Sequence, residues 1–175
     1  AIMLSGETTI GSYPVDCVRV LDKIARRLER AGGAGYASEA VYRQDRQRTV
    51  HSAVVLANSL RGSKIVVFTR RGIMADYVSA QRPTHAPIFA FVPDQEVARR
   101  ITINWGVLPI LFPFDKEPSL ERSGEPISDP NLMIATAERY LRERKLVVPG
   151  DKVVIVTDLL AGDKFYDSIQ VRTIT

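Results

Sequence analysis

A polar turn after an apolar run carries residue types that bind phosphate. Residues 64–68 read Lys-Ile-Val-Val-Phe, and Thr69, Arg70, Arg71 and Gly72 follow before a helical pattern begins. A short apolar run with these flanks is typical of a buried strand in a parallel sheet, and open α/β folds bind ligands at the carboxyl ends of such strands. A hydroxyl and two guanidinium groups there could hold a phosphate at a helix N-terminus. An ordinary turn with two solvated arginines is the alternative.

A second polar segment is expected at the same sheet edge. Residues 158–168 join the last two predicted strands, so we expect them to form a loop near Thr69. Lys164 and Ser168 supply a cation and a hydroxyl, whereas Asp163 and Asp167 would repel an anion. The arginines of the first turn would therefore have to outweigh these carboxylates.

No complete catalytic motif is present in the sequence. His51 and His85 are far apart and lack the spacing of metal ligands, so we interpret both as structural. Cys17 falls in a helical pattern and is interpreted as a buried apolar residue. Glycine-rich dinucleotide or Walker loops and the nucleophile elbow are absent. We therefore predict neither a catalytic centre nor a metal site within this chain.

Apolar runs and helical patterns alternate along most of the chain. This alternation predicts an α/β fold, a three-layer αβα arrangement around a five-stranded, mostly parallel sheet. The last strand is predicted at an edge of the sheet, and the sequence is compatible with either a parallel or an antiparallel orientation for it. Pro109 argues for an edge position of the third strand. The predicted strands are 65–68, 88–92, 107–112, 152–157 and 169–174, the predicted helices include 14–30, 38–59, 73–80, 94–103 and 130–145, and residues 113–128 are predicted to be a surface loop.

Composition limits the classes of partner. The 175 residues are 45% hydrophobic and carry a net charge of +4, enough apolar content for one domain with a small appendage. Lysines and arginines do not cluster between aromatics, and no apolar run could span a bilayer, so neither nucleic acid nor membrane is expected. A single cysteine fits a reducing compartment, here taken as the cytoplasm. Because the chain begins inside a predicted strand, we expect it to belong to a longer protein.

Several motifs together resemble pyruvate kinases over the whole chain. Residues 3–8, Met-Leu-Ser-Gly-Glu-Thr, with Gly11, Tyr13 and Pro14, resemble the segment that closes the catalytic barrel of that family. Further resemblances follow in order through the family's C-terminal domain: Ile-Val-Val-Phe-Thr at 65–69, Arg-Pro-x-x-Ala-Pro-Ile at 82–88, Trp-Gly-Val at 105–107, Pro-Gly-Asp-Lys-Val-Val at 149–154, and residues 169–174.

The resemblance implies an enzyme that transfers phosphate from phosphoenolpyruvate to ADP in glycolysis, with Mg and K ions, and that is usually a homotetramer. Residues 1–31 would be the final strand–loop–helix unit of a (β/α)8 barrel, and residues 32–175 the C-terminal regulatory and assembly domain. Ser5 and Glu7 would stand near the active-site mouth, while the residues for catalysis and for both ions would lie upstream. The chain alone is therefore expected to be inactive and to bind no cofactor.

The resemblance also makes residues 69–74 the loop for an effector phosphate. Arg71 and Met74 stand where the family has hydroxyls, which argues against fructose bisphosphate and indicates a divergent, archaeal-type member. The candidate effector-binding residues are Thr69, Arg70, Arg71, Gly72, Lys164 and Ser168.

Three interpretations remain open at the level of sequence. The first is a regulatory and assembly domain that binds a phosphorylated metabolite, pairs with the rest of a pyruvate kinase chain and forms a homo-oligomer. The second is an assembly module without a ligand. The third is a freestanding α/β phosphate-binding protein, which the barrel-end motif at residues 3–8 disfavours.

Overall fold

A computed structural model of the chain describes residues 2–31, 39–112, 130–161 and 164–175, with the backbone alone at residues 130, 158–161 and 164–166. The chain divides into two compact units, Ala1–Ala40 and Val41–Thr175. The boundary predicted at residues 31–32 and the surface loop predicted at 113–128 fall at or within segments outside the described residues.

The first unit contains two helices, α1 (Gly6–Thr9) and α2 (Pro14–Arg30). Proline at the first helical position of α2 fits there because its missing N–H would have no partner within the helix. The apolar stripe of α2 is exposed on the described surface of this unit, with Val15 at 67% and Leu28 at 61% exposure. A helix of this pattern buries its stripe against a neighbouring element when one is available.

The second unit is a five-stranded sheet with helices on both faces. Its strands follow the order β3-β2-β1-β4-β5; the first four are mutually parallel and β5 is antiparallel to β4. The predicted α/β class, and the placement of the last strand at an edge, are confirmed. The elements are α3 (Asp45–Ser59), β1 (Lys64–Phe68), α4 (Ile73–Ala80), β2 (Ile88–Val92), α5 (Gln95–Ile101), β3 (Val107–Leu111), α6 (Pro130–Glu143), β4 (Lys152–Ala161) and β5 (Lys164–Thr173).

The central strands are apolar throughout because both of their faces are covered. Successive side chains alternate between the faces. Ile65 and Val67 of β1 therefore pack with α3, α4 and α5, whereas Val66 packs with α6 on the opposite side. All five residues of β2 are buried. The three-layer αβα arrangement follows from these two separate apolar clusters.

Pro109 lies on an edge strand, as predicted. It sits in β3, opposite Ala90 of β2, and β3 ends the sheet on that side. Proline cannot donate a hydrogen bond to a second neighbouring strand, so the edge is where the sheet tolerates it.

The predicted loop at residues 158–168 is wrong. The two last strands continue into it as a hairpin: β4 extends to Ala161 and β5 begins at Lys164, with Thr157 opposite Ser168. Antiparallel pairing satisfies the backbone groups of both segments at once, and this outweighs the polar composition that suggested a loop. Asp158, predicted to follow the fourth strand, lies within it.

Helix α3 begins seven residues later than predicted, at Asp45. The side-chain oxygen Oε1 of Gln47 accepts hydrogen bonds from the backbone N–H groups of Arg43 (2.9 Å) and Gln44 (3.2 Å). These bonds stop the helix at its first turn because they satisfy N–H groups that precede it.

An ion pair joins β1 to the segment before β4. Lys64 Nζ lies 2.5 Å from Asp151 Oδ2, and both side chains are less than one-fifth exposed. Burial alone would raise the pKa of Asp151, but the Lys64 ammonium and the N–H of Val148, 2.8 Å from the same oxygen, hold that pKa below its usual range. The pair fixes the start of the central strand beside its neighbour.

We expect Asp151→Asn to lower the free energy of unfolding at pH 7 by about 1–2 kcal/mol, because it leaves a largely buried ammonium unpaired. Since folding lowers the pKa of Asp151, the stabilisation by its ion pair is fully present above the unfolded-state pKa of about 4. It is lost as pH falls through the folded-state pKa. Urea unfolding of both proteins between pH 7 and pH 3 tests this. Glu143→Ala, at an exposed carboxylate near the end of α6, is the control; an equal loss from it would contradict the assignment.

Candidate functional site

The order of the strands reverses beside the end of β1, at a switch point that we call the crevice. The connections after β1 and β2 lead to one side of the sheet, whereas β4 lies on the other side of β1. The chain therefore diverges at the carboxyl ends of β1 and β4, which is where open α/β domains bind ligands. The turn formed by residues 69–72 lies at this point of divergence.

Thr69 is buried and holds the start of α4. Its backbone N–H donates to Phe91 O of β2 at 3.0 Å, and its hydroxyl oxygen accepts from the N–H of Met74 at 3.4 Å. A threonine hydroxyl can accept one bond and donate another, so the bond from Met74 does not use its proton. Arg70 is half-buried and Arg71 is exposed.

Gly72 is required by both its conformation and its neighbours. Its φ of +77° lies in the left-handed region, and a Cβ there would stand 2.1 Å from Arg100 Nη2 and 2.7 Å from Ile101 Cγ2 of α5. Arg100 also donates to the carbonyl oxygen of Arg71 and pairs with Asp76 at 3.2 Å. Helix α5 thereby fixes the backbone of the turn while the Arg71 side chain remains exposed.

Ser168, predicted as a ligand-binding hydroxyl, is paired across the hairpin. Its Oγ lies 3.0 Å from the hydroxyl oxygen of Thr157. Thr157 follows Val156, which packs on the face of α3 and α4, so alternation puts this hydroxyl pair on the face of α6. The side chain of Lys164, the other candidate in this segment, lies outside the described residues.

Arg46, a cation that sequence reasoning missed, lies in the first turn of α3. Its Nε donates to Asp167 Oδ1 of β5 at 2.9 Å, across 121 positions of sequence. The contact places the N-terminus of α3 at the carboxyl edge of the sheet, beside the hairpin. The one available signal was Gln47, whose spacing to Gln44 resembles a capping box and would have put Arg46 in a first turn.

A polar cluster anchors the segment that leads into α3. His51 Nδ1 lies 2.8 Å from Tyr42 Oη and 3.0 Å from Gln81 Oε1, and the hydroxyl of Tyr42 donates to the same Gln81 oxygen at 2.9 Å. These bonds join α3, its preceding segment and the end of α4. The contacts support the structural interpretation of His51.

Ser5 and Glu7 form a local contact in the first unit. The carboxylate of Glu7 accepts from the N–H of Ser5 at 3.1 Å. Hydrogen bonds from the N–H groups of Glu7 itself and then of Ser5 lower the pKa of this exposed carboxyl group. The Glu7 carboxylate and the backbone of Ser5, whose carbonyl oxygen accepts from the hydroxyls of Thr8 and Thr9, support the single turn of α1.

The described residues contain neither a metal-binding cluster nor a membrane-spanning helix. No group of three or more His, Cys, Asp or Glu residues within it could hold a metal ion. None of the helices described combines the length and the apolar character that crossing a bilayer needs.

The fold and the crevice define an open α/β domain of the class that binds ligands at the carboxyl ends of its strands. A family model described as pyruvate kinase, alpha/beta domain, matches residues 47–171. The chain is 29% identical over 185 residues to pyruvate kinase isozyme A, chloroplastic, of Nicotiana tabacum, and 35% identical over 163 residues to pyruvate kinase 2 of Synechocystis sp.. The chain therefore belongs to the pyruvate kinase family.

The match covers most of this chain and a minor part of its relatives. It includes 99% of the chain and 28% of the Nicotiana protein, and 93% of the chain and 25% of the Synechocystis protein. The chain spans about a quarter to a third of the length of the curated relatives it matches.

We expect Gly72→Ala to destabilise the second unit more than Gly150→Ala does. Both glycines have positive φ, but a Cβ at Gly150 would meet no atom within 4 Å. Gly150→Ala therefore measures backbone strain alone, about 1 kcal/mol, and Gly72→Ala should cost about 2–4 kcal/mol because the clash adds to it. Urea unfolding gives both values.

Arg100→Ala combined with Gly72→Ala should recover part of that loss, since the guanidinium is the nearer obstacle. Equal costs for the two single glycine variants would contradict the close packing of α5 on the turn.

Proposed function

We propose that this chain is the C-terminal regulatory and subunit-assembly portion of a pyruvate kinase. The full enzyme would transfer the phosphoryl group of phosphoenolpyruvate to ADP, giving pyruvate and ATP in the cytoplasm. The observation that carries the proposal is the family match over residues 47–171, on a sheet whose strand order opens a polar crevice at Thr69. Mg and K ions would act in the rest of the enzyme.

The first unit supports the expectation of a larger assembly. Val15, Val18 and Leu28 of α2 each expose more than half of their surface. A stripe of this kind normally packs against another element. We propose that the remainder of the pyruvate kinase chain covers it, as the final helix of a catalytic barrel would be covered, and that the C-terminal unit supplies a contact between subunits of a homo-oligomer.

The crevice supports binding of a phosphorylated metabolite. Thr69 offers a hydroxyl proton at the N-terminus of α4, and Arg70 and Arg71 bring two guanidinium groups to the same turn. An anion there interacts favourably with the helix dipole and with charge-assisted hydrogen bonds. An effector at this point would act through its different affinity for two arrangements of the domains or subunits.

The chain assayed alone with phosphoenolpyruvate, ADP, Mg²⁺ and K⁺ is expected to release no pyruvate. The reason is that it covers only about a quarter to a third of the length of its relatives. A coupled assay of pyruvate formation measures this, with a full-length pyruvate kinase as the positive control. Turnover by the chain alone would contradict the proposal.

Isothermal titration with inorganic phosphate, a hexose phosphate, AMP and phosphoglycerate tests the effector site. We expect Arg71→Ala to weaken binding about tenfold, the loss of roughly one charge-assisted bond. Arg61→Ala, an exposed arginine beyond the opposite end of α3, is the matched control and should leave binding unchanged. Equal effects would place the site elsewhere. Absence of binding by any probe would favour the assembly module without a ligand.

A further inference from the structure

Arg46 of α3 and Asp167 of β5 form an ion pair on the side of the crevice away from β2. The Asp167 carboxylate thereby neutralises a guanidinium that could otherwise bind a phosphate. Arg46 Nε and Asp167 Oδ1 are 2.9 Å apart, and the side chains are 39% and 18% exposed. The pair is thus partly shielded from water, where charge–charge interactions are stronger than on an open surface. It connects α3 to the hairpin.

The strand register brings this pair level with the turn of Thr69. Val67 of β1 pairs with Val156 of β4, so Thr69 is level with residue 158, which pairs in turn with Asp167 of β5. Two strand spacings separate Thr69 from Asp167, roughly 10 Å. Thr69 caps α4 and Asp167 contacts α3, so both side chains lie on the same face of the sheet. A ligand phosphate at the turn would therefore lie on the same face of the sheet as the guanidinium on α3, about two strand spacings from Asp167.

The charge of this group fits a single phosphate. Arg46, Arg70 and Arg71 bring three positive charges, and Asp158 and Asp167, which pair with each other in the register of the hairpin, bring two negative charges, a net of one. A phosphate monoester near neutral pH carries about −1.5 to −2 charges, which is closer to this value than the charge of a bisphosphate is. A bisphosphate carries about twice as much and would exceed what these residues neutralise.

We propose that Asp167 acts as an internal anion that holds Arg46 in the absence of ligand, and that a phosphate monoester displaces it and takes the guanidinium. This inference rests on the proposed function, because it concerns the same crevice. Binding then has to break the Arg46–Asp167 contact, which lowers the affinity and releases the hairpin from α3. Occupancy of the crevice is thereby coupled to the position of β5 at the edge of the sheet.

Titration calorimetry on the 175-residue chain, with inorganic phosphate and hexose 6-phosphate as probes, tests the displacement. Asp167→Asn should tighten binding about three- to tenfold, because the competing charge is removed. Arg46→Gln should weaken it about tenfold. In the Arg46→Gln background, Asp167→Asn should change the affinity for phosphate by less than about twofold, since there is no longer a guanidinium for which Asp167 and the phosphate compete.

The matched control is Arg48→Gln on the same helix. Arg48 pairs with Asp45 on the exposed side of α3 at 2.7 Å and should leave the affinity unchanged. A gain in affinity with Asp167→Asn cannot come from misfolding, and urea unfolding checks that Arg46→Gln is folded.

The outcomes separate the two proposals. If the wild-type chain binds phosphate and Arg71→Ala weakens it, but Asp167→Asn tightens binding equally with and without Arg46, the displacement is overturned while the effector site stands. Equal affinities of Arg46→Gln and Arg48→Gln for phosphate would likewise overturn the displacement while the effector site stands. If neither the wild-type chain nor Asp167→Asn binds any probe, the effector site and the displacement both fail.

Discussion

The pairing of β1 with a parallel neighbour on each side is the constraint on which the rest of the second unit depends. Both edges of β1 are paired, and its residues Ile65, Val66 and Val67 are buried and apolar on both faces. Helices must then cover both faces. The chain leaves β1 toward β2 and leaves β4 toward β5, and these two connections diverge at the crevice beside Thr69. The ion pair between Lys64 and Asp151 fixes the opposite end of the same pairing.

The crevice is built by elements distant in sequence. Helix α5 fixes the backbone of the turn through Arg100, and α3 brings Arg46 to the edge from its own first turn. The candidate anion site therefore combines a local motif with a guanidinium that only the packing of α3 supplies. The carboxylate of Asp167 meets that guanidinium, so the site already contains a negative charge of its own.

Sequence reasoning predicted much of the fold because the signals for it are local. Alternating apolar runs and helical patterns predicted the parallel sheet, and Pro109 predicted an edge strand. One helix start was readable from the sequence: Asp94, the first residue of the helix predicted over 94–103, accepts from the N–H of Val97 at 2.9 Å. The hairpin was missed because the stability of β4 and β5 at their far ends comes from pairing with each other, which composition does not encode.

The sequence by itself determined the class of fold, the family resemblance and the turn at residues 69–72, since each depends on residue types at short spacing. Only the tertiary structure decided that Ser168 pairs with Thr157 on the α6 face, and that Arg46 and Asp167 meet on the α3 face. Alternation along β5 separates Asp167 and its neighbour Ser168 between two faces, and Asp167 lies 121 positions along the chain from its partner Arg46. Contacts of that kind follow from packing, which acts between elements rather than along the chain.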